Sequence, residues 1–392
     1  MGGGRRKGAS GIHDKSHVNF ITLDMTVSDP ATMIGGDVNG KLIQRIRSNS
    51  HRYLGKYVAD GVMLLCQLDD HDSTKFYDGS AATLDGTQGD VFIQRPTLYT
   101  QAVEVSAGVW KIGFADYKVD ESWLEWSEHD IIGAYEAAST TAFDGSTLET
   151  ANSGAGFLRS ISGVASLASV SQANFKTKAR NRSSNFSLVR WEHQNIMAFL
   201  FYAIYGNTNA QAICGSGTAT NAKNTGLTNA LGMTDTNSVN GNQSSINFFG
   251  LDNWWGNKYE WVDNVDVNGY DWTIADRNSG RTRTVQGQVT PNTWVYPQRM
   301  VVGANLDLIP YPTQTGGDDH HGFCDGVYMT GTSGRVVLRS YSNAHSQGGV
   351  ACASADYGSS HTLASGGSRL AFRGHCVKAE SVAAYLAATA IG

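Results

Sequence analysis

Residues 248–264 read FFGLDNWWGNKYEWVDN, and no other stretch of the chain is as dense in aromatic and turn-forming residues. Trp254, Trp255, Tyr259 and Trp261 alternate with Asn253, Gly256 and Asn257, so the backbone has to bend sharply while several large rings bury together. The stretch reads as an irregular, core-building segment. A chain of 392 residues has ample capacity for such a core. Its 45 Gly against 6 Pro imply many turns and short strands.

Charge and cysteine content narrow the function classes. A formal net charge of -5 gives no general reason for nucleic-acid binding, and the locally basic residues 41–56 read as a solvated or inter-subunit face. The best apolar run, residues 196–205, falls well short of the ~20 residues that a membrane-spanning helix needs. The opening MGGGRRKGASG is basic but lacks the apolar centre of a secretory signal, so Sec export is not expected from the chain as given. Cys66, Cys214, Cys324, Cys352 and Cys376 are odd in number, widely spaced and without a C-x-x-C pair. Buried reduced thiols are expected rather than a disulfide framework or a zinc site. No cofactor is signalled.

Taken in order, residues 1–16 read as a flexible Gly-rich arm. Residues 18–27 alternate as a strand does until Asp29-Pro30 breaks them, residues 41–58 read as a short helix running into a strand, and residues 62–68 as a buried strand. Residues 17–86 thus form a small β-rich region suited to attachment or oligomerisation. Further strands are expected at 89–93, 109–114 and 131–137. A helix is expected at 172–182 with Ser171 as N-cap, and a second, buried helix at 188–205, closed by Gly206 in a left-handed C-cap. Glu192 and His193 sit on that second helix about 100° apart, so they do not converge as an acid/base pair. Residues 272–289 read as a Thr-rich hairpin around Asn278-Ser279-Gly280. Asp318, Asp319, His320 and His321 are metal-ligand residue types, but they lack a spaced partner and read as an exposed loop.

Residues 335–339 and 367–374 have the pattern of core strands, with apolar side chains between arginines. Between them lies SYSNAHSQGGVACASADYGSSHTLASG, made of small, hydroxyl-bearing or aromatic-polar residues. Such a composition suits contact rather than packing. Tyr341, His345, Tyr357 and His361 supply amphipathic area at little conformational cost, while Ser, Thr, Asn and Gly supply adaptable hydrogen bonds. Trp254, Trp255 and Trp294 are alternative candidates, as a platform for sugar rings.

The run W-G-N-x-x-E-W-V-D at 255–263 resembles the signature at the centre of the C-type lectin fold. The resembling branch includes formylglycine-generating enzymes, phage tail adhesins and the variable proteins of diversity-generating retroelements. DVFIQRPTLYT at 90–100 resembles the entry strand of phage tail lectin-like proteins, and IIGAYEA at 131–137 their next core element. The resemblance implies an α+β, C-type lectin-like fold: a twisted antiparallel sheet with two helices and long loops over residues 87–377, preceded by the small β-rich region. Residues 378–392 are then a tail that packs either at a subunit interface or on its own sheet.

In the resembling retroelement proteins a region matching residues 335–374 is diversified by randomising template adenines, which never yields Lys, Glu, Gln, Met or Trp at an AAC or AAT codon. Residues 340–366 contain none of these except Gln347. The family pattern implies Tyr341, Asn343, His345, Ser346, Cys352, Ser354, Asp356, Tyr357, Ser360, His361 and Leu363 as displayed positions. It implies that Trp255, Gly256, Asn257, Trp261 and Asp263 are scaffold rather than ligand contacts, with the central tryptophans in the core. The E-P-N, Q-P-D and W-N-D motifs of calcium-dependent lectins are absent, so calcium-mediated sugar binding is not expected. The implied function is that of a non-catalytic receptor-binding protein of a phage tail, located in the virion. Its implied partners are a host cell-surface protein or glycan, other tail proteins through the N-terminal region, and further copies of itself, plausibly as a trimer. No nucleic acid and no membrane insertion are expected. A bacterial surface-displayed variable protein is an alternative. A formylglycine-generating-type oxidoreductase is another, although its cysteine pair and copper dependence do not match the cysteine positions here.

Overall fold

The computed structural model describes residues 16–391 apart from 218–222, 238–244, 277–279 and 313. The N-terminal arm up to residue 15 and the Asn278-Ser279 turn lie outside the described residues. The architecture is α+β and rich in sheet. A five-stranded antiparallel sheet runs in the order Ile34–Gly36, Val18–Asp24, Val109–Ala115, Leu98–Ser106 and Leu124–Trp126. A larger sheet carries the chain's centre. Its main path is Val327–Met329, Ala353–Ala355, Arg335–Arg339, Tyr259–Asn268, Gly366–Arg373, Asp130–Glu136, Asp90–Gln94, His51–Ala59, Val62–Gln67 and His375–Lys378. This sheet is mixed rather than antiparallel throughout. Tyr259–Trp261 runs parallel to Gly366–Ser368, Val327–Met329 to Ala353–Ala355, and His375–Lys378 to Val62–Leu65. Parallel neighbours need a long crossover, and the excursions between these segments supply it.

The expected boundary near residue 86 needs correction. His51–Ala59 and Val62–Gln67 belong to the large sheet, while the later strands Leu98–Ser106 and Val109–Ala115 complete the small one. Strands from both sides of residue 86 interleave in both sheets. The basic stretch 41–56 is likewise only partly a solvated face. Arg45 pairs with Asp116, and Arg47 with Asp235. Arg52 is buried, donating to the Gly250 carbonyl at 2.7 Å, Ser73 at 3.0 Å, and Thr228 and Asn247 at 3.2 Å. Strand alternation forces that side chain inward, where its five donors knit three loops to the sheet.

The helix Gln172–Arg180 starts as expected, with the Ser171 side chain accepting from the Asn174 amide. The second long helix spans Trp191–Tyr205 and ends at Gly206, whose φ of 61° is left-handed. Every residue from Trp191 to Ile204 is buried: the C-terminal half is apolar all round, and the polar first turn is held by partners, Asp130 on His193 and Asn264 on Glu192. It begins three residues late because Phe186–Leu188 pairs instead with Leu370–Phe372 of the sheet. His193 is used structurally: its Nε2 lies 2.9 Å from Asp130, and its Nδ1 accepts from the Arg190 amide at the helix start. Lys41–Ser48 is the short helix expected ahead of the strand His51–Ala59, and further short helices at Pro30–Met33, Ala210–Cys214 and Val382–Ala387 add to those expected. The last of them covers the chain's own sheet, with Val382 and Tyr385 buried and the Tyr385 hydroxyl donating to the Gln88 carbonyl at 2.6 Å.

One buried arginine joins the layers. Arg369 donates to Glu260 at 2.7 and 3.0 Å, and to the carbonyls of Gly133, Ala134, Asp252 and Asn253 at 2.8–3.2 Å. It thereby ties three adjacent strands to the aromatic turn. Trp254, Trp255 and Trp261 are buried, and Arg369 lies over the Trp254 ring at 5.3 Å.

Candidate ligand-binding surface

The turn that joins Trp255 to Tyr259 bends because Gly256 adopts a φ of 86°, and a Cβ there would stand 2.2 Å from the Ser216 carbonyl. Only glycine fits. Asn257 is buried and donates to Glu136, which also accepts the Lys258 amide at 2.9 Å. The turn is thus fixed from below, and its upper side holds a loop. After the strand Arg335–Arg339 the chain turns through Ser340 and Asn343, both with φ near +63°. There the Gly256 amide donates to the Ser340 hydroxyl at 3.2 Å and the Tyr341 carbonyl at 3.3 Å, while the Asn343 amide donates to the Asn257 carbonyl at 3.4 Å. Gln211 fastens the far side through the His345 carbonyl at 2.8 Å. A second loop, residues 356–365, is pinned in the same manner. The amides of Val336, Ala173, Ser169 and Tyr259 donate to the carbonyls of Tyr357, Ser359, Leu363 and Ser365 at 2.8–3.1 Å.

Backbones held this way leave the side chains free to project. Tyr341 stacks on His345 with centroids 4.4 Å apart and planes 18° from parallel, and Tyr357 stacks on His361 at 4.2 Å and 10°. Tyr341 also meets Tyr259 at 4.8 Å and Trp294 at 5.0 Å, and Trp294 meets Tyr328 at 5.5 Å. Burial, followed by a hydrogen bond with Tyr341, raises the Tyr259 phenol pKa, and Tyr357 lies close enough to contribute. Tyr259 and Tyr357 pack against the same apolar cluster, so the two stacked pairs stand over one core. Tyr296 closes one side by sharing a hydrogen bond with Ser346 at 3.0 Å. The result is a continuous aromatic and imidazole face, with Asp356 as its carboxylate and Lys258 beside it, donating to the Ala364 carbonyl at 2.8 Å.

Of the positions read from the sequence, Tyr341, Asn343, His345, Ser346, Asp356, Tyr357, Ser360, His361 and Leu363 are partly or fully exposed on these two loops. Cys352 and Ser354 are not displayed, at 0% and 4% exposure. They fall where the chain dips back into the sheet: Ser354 pairs with Leu338, its neighbour Ala353 with Val327, and the Cys352 thiol donates to the Ser340 carbonyl at 2.7 Å. Conversely, Tyr259, Tyr296 and Tyr328 belong to the face and were not singled out as ligand contacts. Tyr259 has an alternation signal that could have found it, because Glu260 beside it points into the core. Trp294 shares the face, whereas Trp254 and Trp255, its companions as candidate sugar platforms, are buried.

The remaining chemistry-bearing groups are tied into structure. Asp318 holds His321 at 2.8 Å in an exposed turn, and no cluster of three metal-ligand residues occurs among the described residues. All five cysteines are free and buried. Burial pushes the thiols of Cys66, Cys214 and Cys376 up to about 11, 12 and 12, and raises those of Cys324 and Cys352 as well. The thiolate form that metal ligation and nucleophilic attack require is disfavoured at each.

No family model matches the chain, and no curated protein matches it. Among solved structures, similarity is found to variants of one protein. The Major Tropism Determinant M1 variant aligns at a TM-score of 0.31 and 13% identity, over 93% of this chain and 85% of that one. The P3c variant gives 0.30 and 12% over 92% and 84%, and the U1 variant 0.29 and 12% over 84% and 73%.

Proposed function

We propose that the chain is a non-catalytic receptor-binding protein of the phage tail adhesin type, which presents the aromatic face to a host cell-surface protein or glycan from a C-type lectin-like scaffold. The observation that carries this reading is the division between the pinned backbone and the projecting side chains. Gly256 and Asn257 hold the Tyr341 loop through its main chain and the Ser340 hydroxyl, and the second loop is held by its carbonyls, so the side chains at Tyr341, His345, Ser346, Tyr357, Ser360 and His361 can change without loss of either loop's course, and Asn343 can change among residues that accept its left-handed φ. Tyrosines and imidazoles with few charges give contact area at low entropic cost, and adjacent Ser and Asn adapt their hydrogen bonds to the partner. Diversification of residues 335–374 extends the same reading. Cys352 and Ser354 are excluded from it, because substitution there disturbs the sheet.

Within this proposal the protein resides in the virion tail, meets other tail proteins through its N-terminal portion and acts as several copies, which raises avidity without new contacts. A bacterial surface carrier would use the same face. The oxidoreductase alternative gains no support from the five buried thiols.

The test is simultaneous replacement of Tyr341, Tyr357 and His361 by Ala, read as binding to host cells and as melting temperature. Binding is expected to fall at least tenfold, the equivalent of about 1.4 kcal/mol. The loss in stability should stay well under that of Trp261→Ala, for which ~3–5 kcal/mol is expected. Unchanged binding, or a stability loss equal to that of Trp261→Ala, contradicts the assignment.

A further inference from the structure

Away from the aromatic face, a cavity of about 250 Å³ lies between the C-terminal tail and the sheet, lined by Lys56, Tyr57, Asp90, Arg159, Arg182 and residues 386–390. Its floor carries an unusual balance of charge. Asp90 is fully buried and accepts from Arg159 at 3.0 Å, from Arg182 at 2.7 Å and from the Ser160 amide at 2.7 Å. Arg159 uses its remaining donors on the carbonyls of Gly86 at 2.8 Å and Gly145 at 2.9 Å. Arg182 is less well supplied. Its guanidinium lies between the rings of Phe143 and Phe186, 4.3 and 4.1 Å away, donates to the Leu158 carbonyl at 3.3 Å, and leaves a buried Nε without a partner. Lys56 donates to the carbonyls of Tyr385, Leu386 and Ala388 at 2.8–3.2 Å and lies over the Tyr385 ring at 4.8 Å.

The lining thus sets three cations, Lys56, Arg159 and Arg182, against one buried carboxylate, which pairs with the two arginines, and Asp144, exposed at the cavity's edge, is the other acid lining it. A buried positive charge without a counterpart is costly, and the cost is relieved by an anion placed beside it. Consistent with that imbalance, burial lowers the Arg182 guanidinium to about 10 in spite of Asp90, and lowers the Lys56 ammonium. The cavity holds several waters' worth of space, enough for a small acid but not for a macromolecular chain. Its walls are positioned by backbone. At Gly89, with φ of 124°, a Cβ would come within 2.5 Å of the Gly55 carbonyl and 2.7 Å of the Tyr385 hydroxyl.

We propose that this cavity binds a small anion, either a carboxylate or an oxyanion such as phosphate, with Arg182 as the recognising cation and the C-terminal tail as its cover. Occupation of the site fastens the tail to the sheet and stabilises the whole chain by mass action.

The experiment is a thermal-shift titration of the full chain in which chloride is exchanged for phosphate or for acetate at constant ionic strength. A saturable rise in Tm is expected with at least one of the two, phosphate indicating an oxyanion site and acetate a carboxylate site. The rise should vanish in Arg182→Gln. Because that variant removes a partner of Asp90 and can fail to fold, Asp144→Asn provides an independent reading: loss of an exposed repelling charge should lower the midpoint anion concentration about threefold with folding intact. No rise in the natural chain, or a rise that stays linear and identical in the Asp144→Asn protein, overturns the proposal.

Discussion

At the residue scale, the side chains that matter most for the site are not the ones that touch its exterior. Glu136 is buried beneath the aromatic turn, accepts from Asn257 and the Lys258 amide, and faces the charge of Glu260. Burial, then that like charge, raises its carboxyl from an ordinary 4.5 to about 7, and burial raises Asp252 to about 6. A carboxyl whose folded pKa lies above its unfolded value favours folding below the unfolded value, and that contribution is lost as pH rises through the folded one. Stability should therefore decline between pH 4.5 and 7 by an amount on the order of 3 kcal/mol from Glu136. Glu136→Gln keeps one carbonyl acceptor for the Lys258 amide and should flatten this decline, while costing about 1 kcal/mol at pH 5 for the altered bond to Asn257. Denaturant unfolding at a series of pH values measures both, and a slope unchanged by the substitution contradicts the assignment. None of this was legible in the sequence. IIGAYEA resembles a core strand there, but nothing in it says that its glutamate will sit beside Glu260.

At the element scale, what could be read and what could not have separate physical causes. The two long helices announced themselves through Ser171, Gly206 and an unbroken apolar run, all of them local signals. The late start of the second helix was hidden because the pairing of Phe186–Leu188 with Leu370–Phe372 is a contact across more than 180 residues. Likewise the composition of residues 340–366 marked a contact region, yet the short buried strand Ala353–Ala355 within it has the same small residues as the loops around it. Cys352 and Ser354 were misplaced for that reason. Gly256 is the element-scale test. Gly256→Ala forces a Cβ against the Ser216 carbonyl in a left-handed backbone and should destabilise by about 1–3 kcal/mol. It should also weaken host binding more than its stability loss accounts for, because the Gly256 amide holds the Tyr341 loop. Full binding by the folded fraction would show that this hydrogen-bonded pin does not set the loop's course.

At the scale of the whole molecule, the chain is woven more tightly than its order suggests. A division near residue 86 follows from the motifs that begin at residue 90, but strand pairing ignores it: His51–Ala59 lies beside Asp90–Gln94, and Val18–Asp24 beside Val109–Ala115. A sequence displays neighbours along the chain and conceals partners across it. The consequence for function is that the aromatic face rests on a sheet reaching back to the N-terminal strands, which gives its loops a rigid base. The most direct test is hydrogen exchange on the full chain, free and bound to host-cell envelope. The account predicts new protection concentrated in residues 340–347 and 356–363 and around Trp294 and Tyr328. Protection centred on the five-stranded sheet, with those loops exchanging as they do in the free chain, would contradict it.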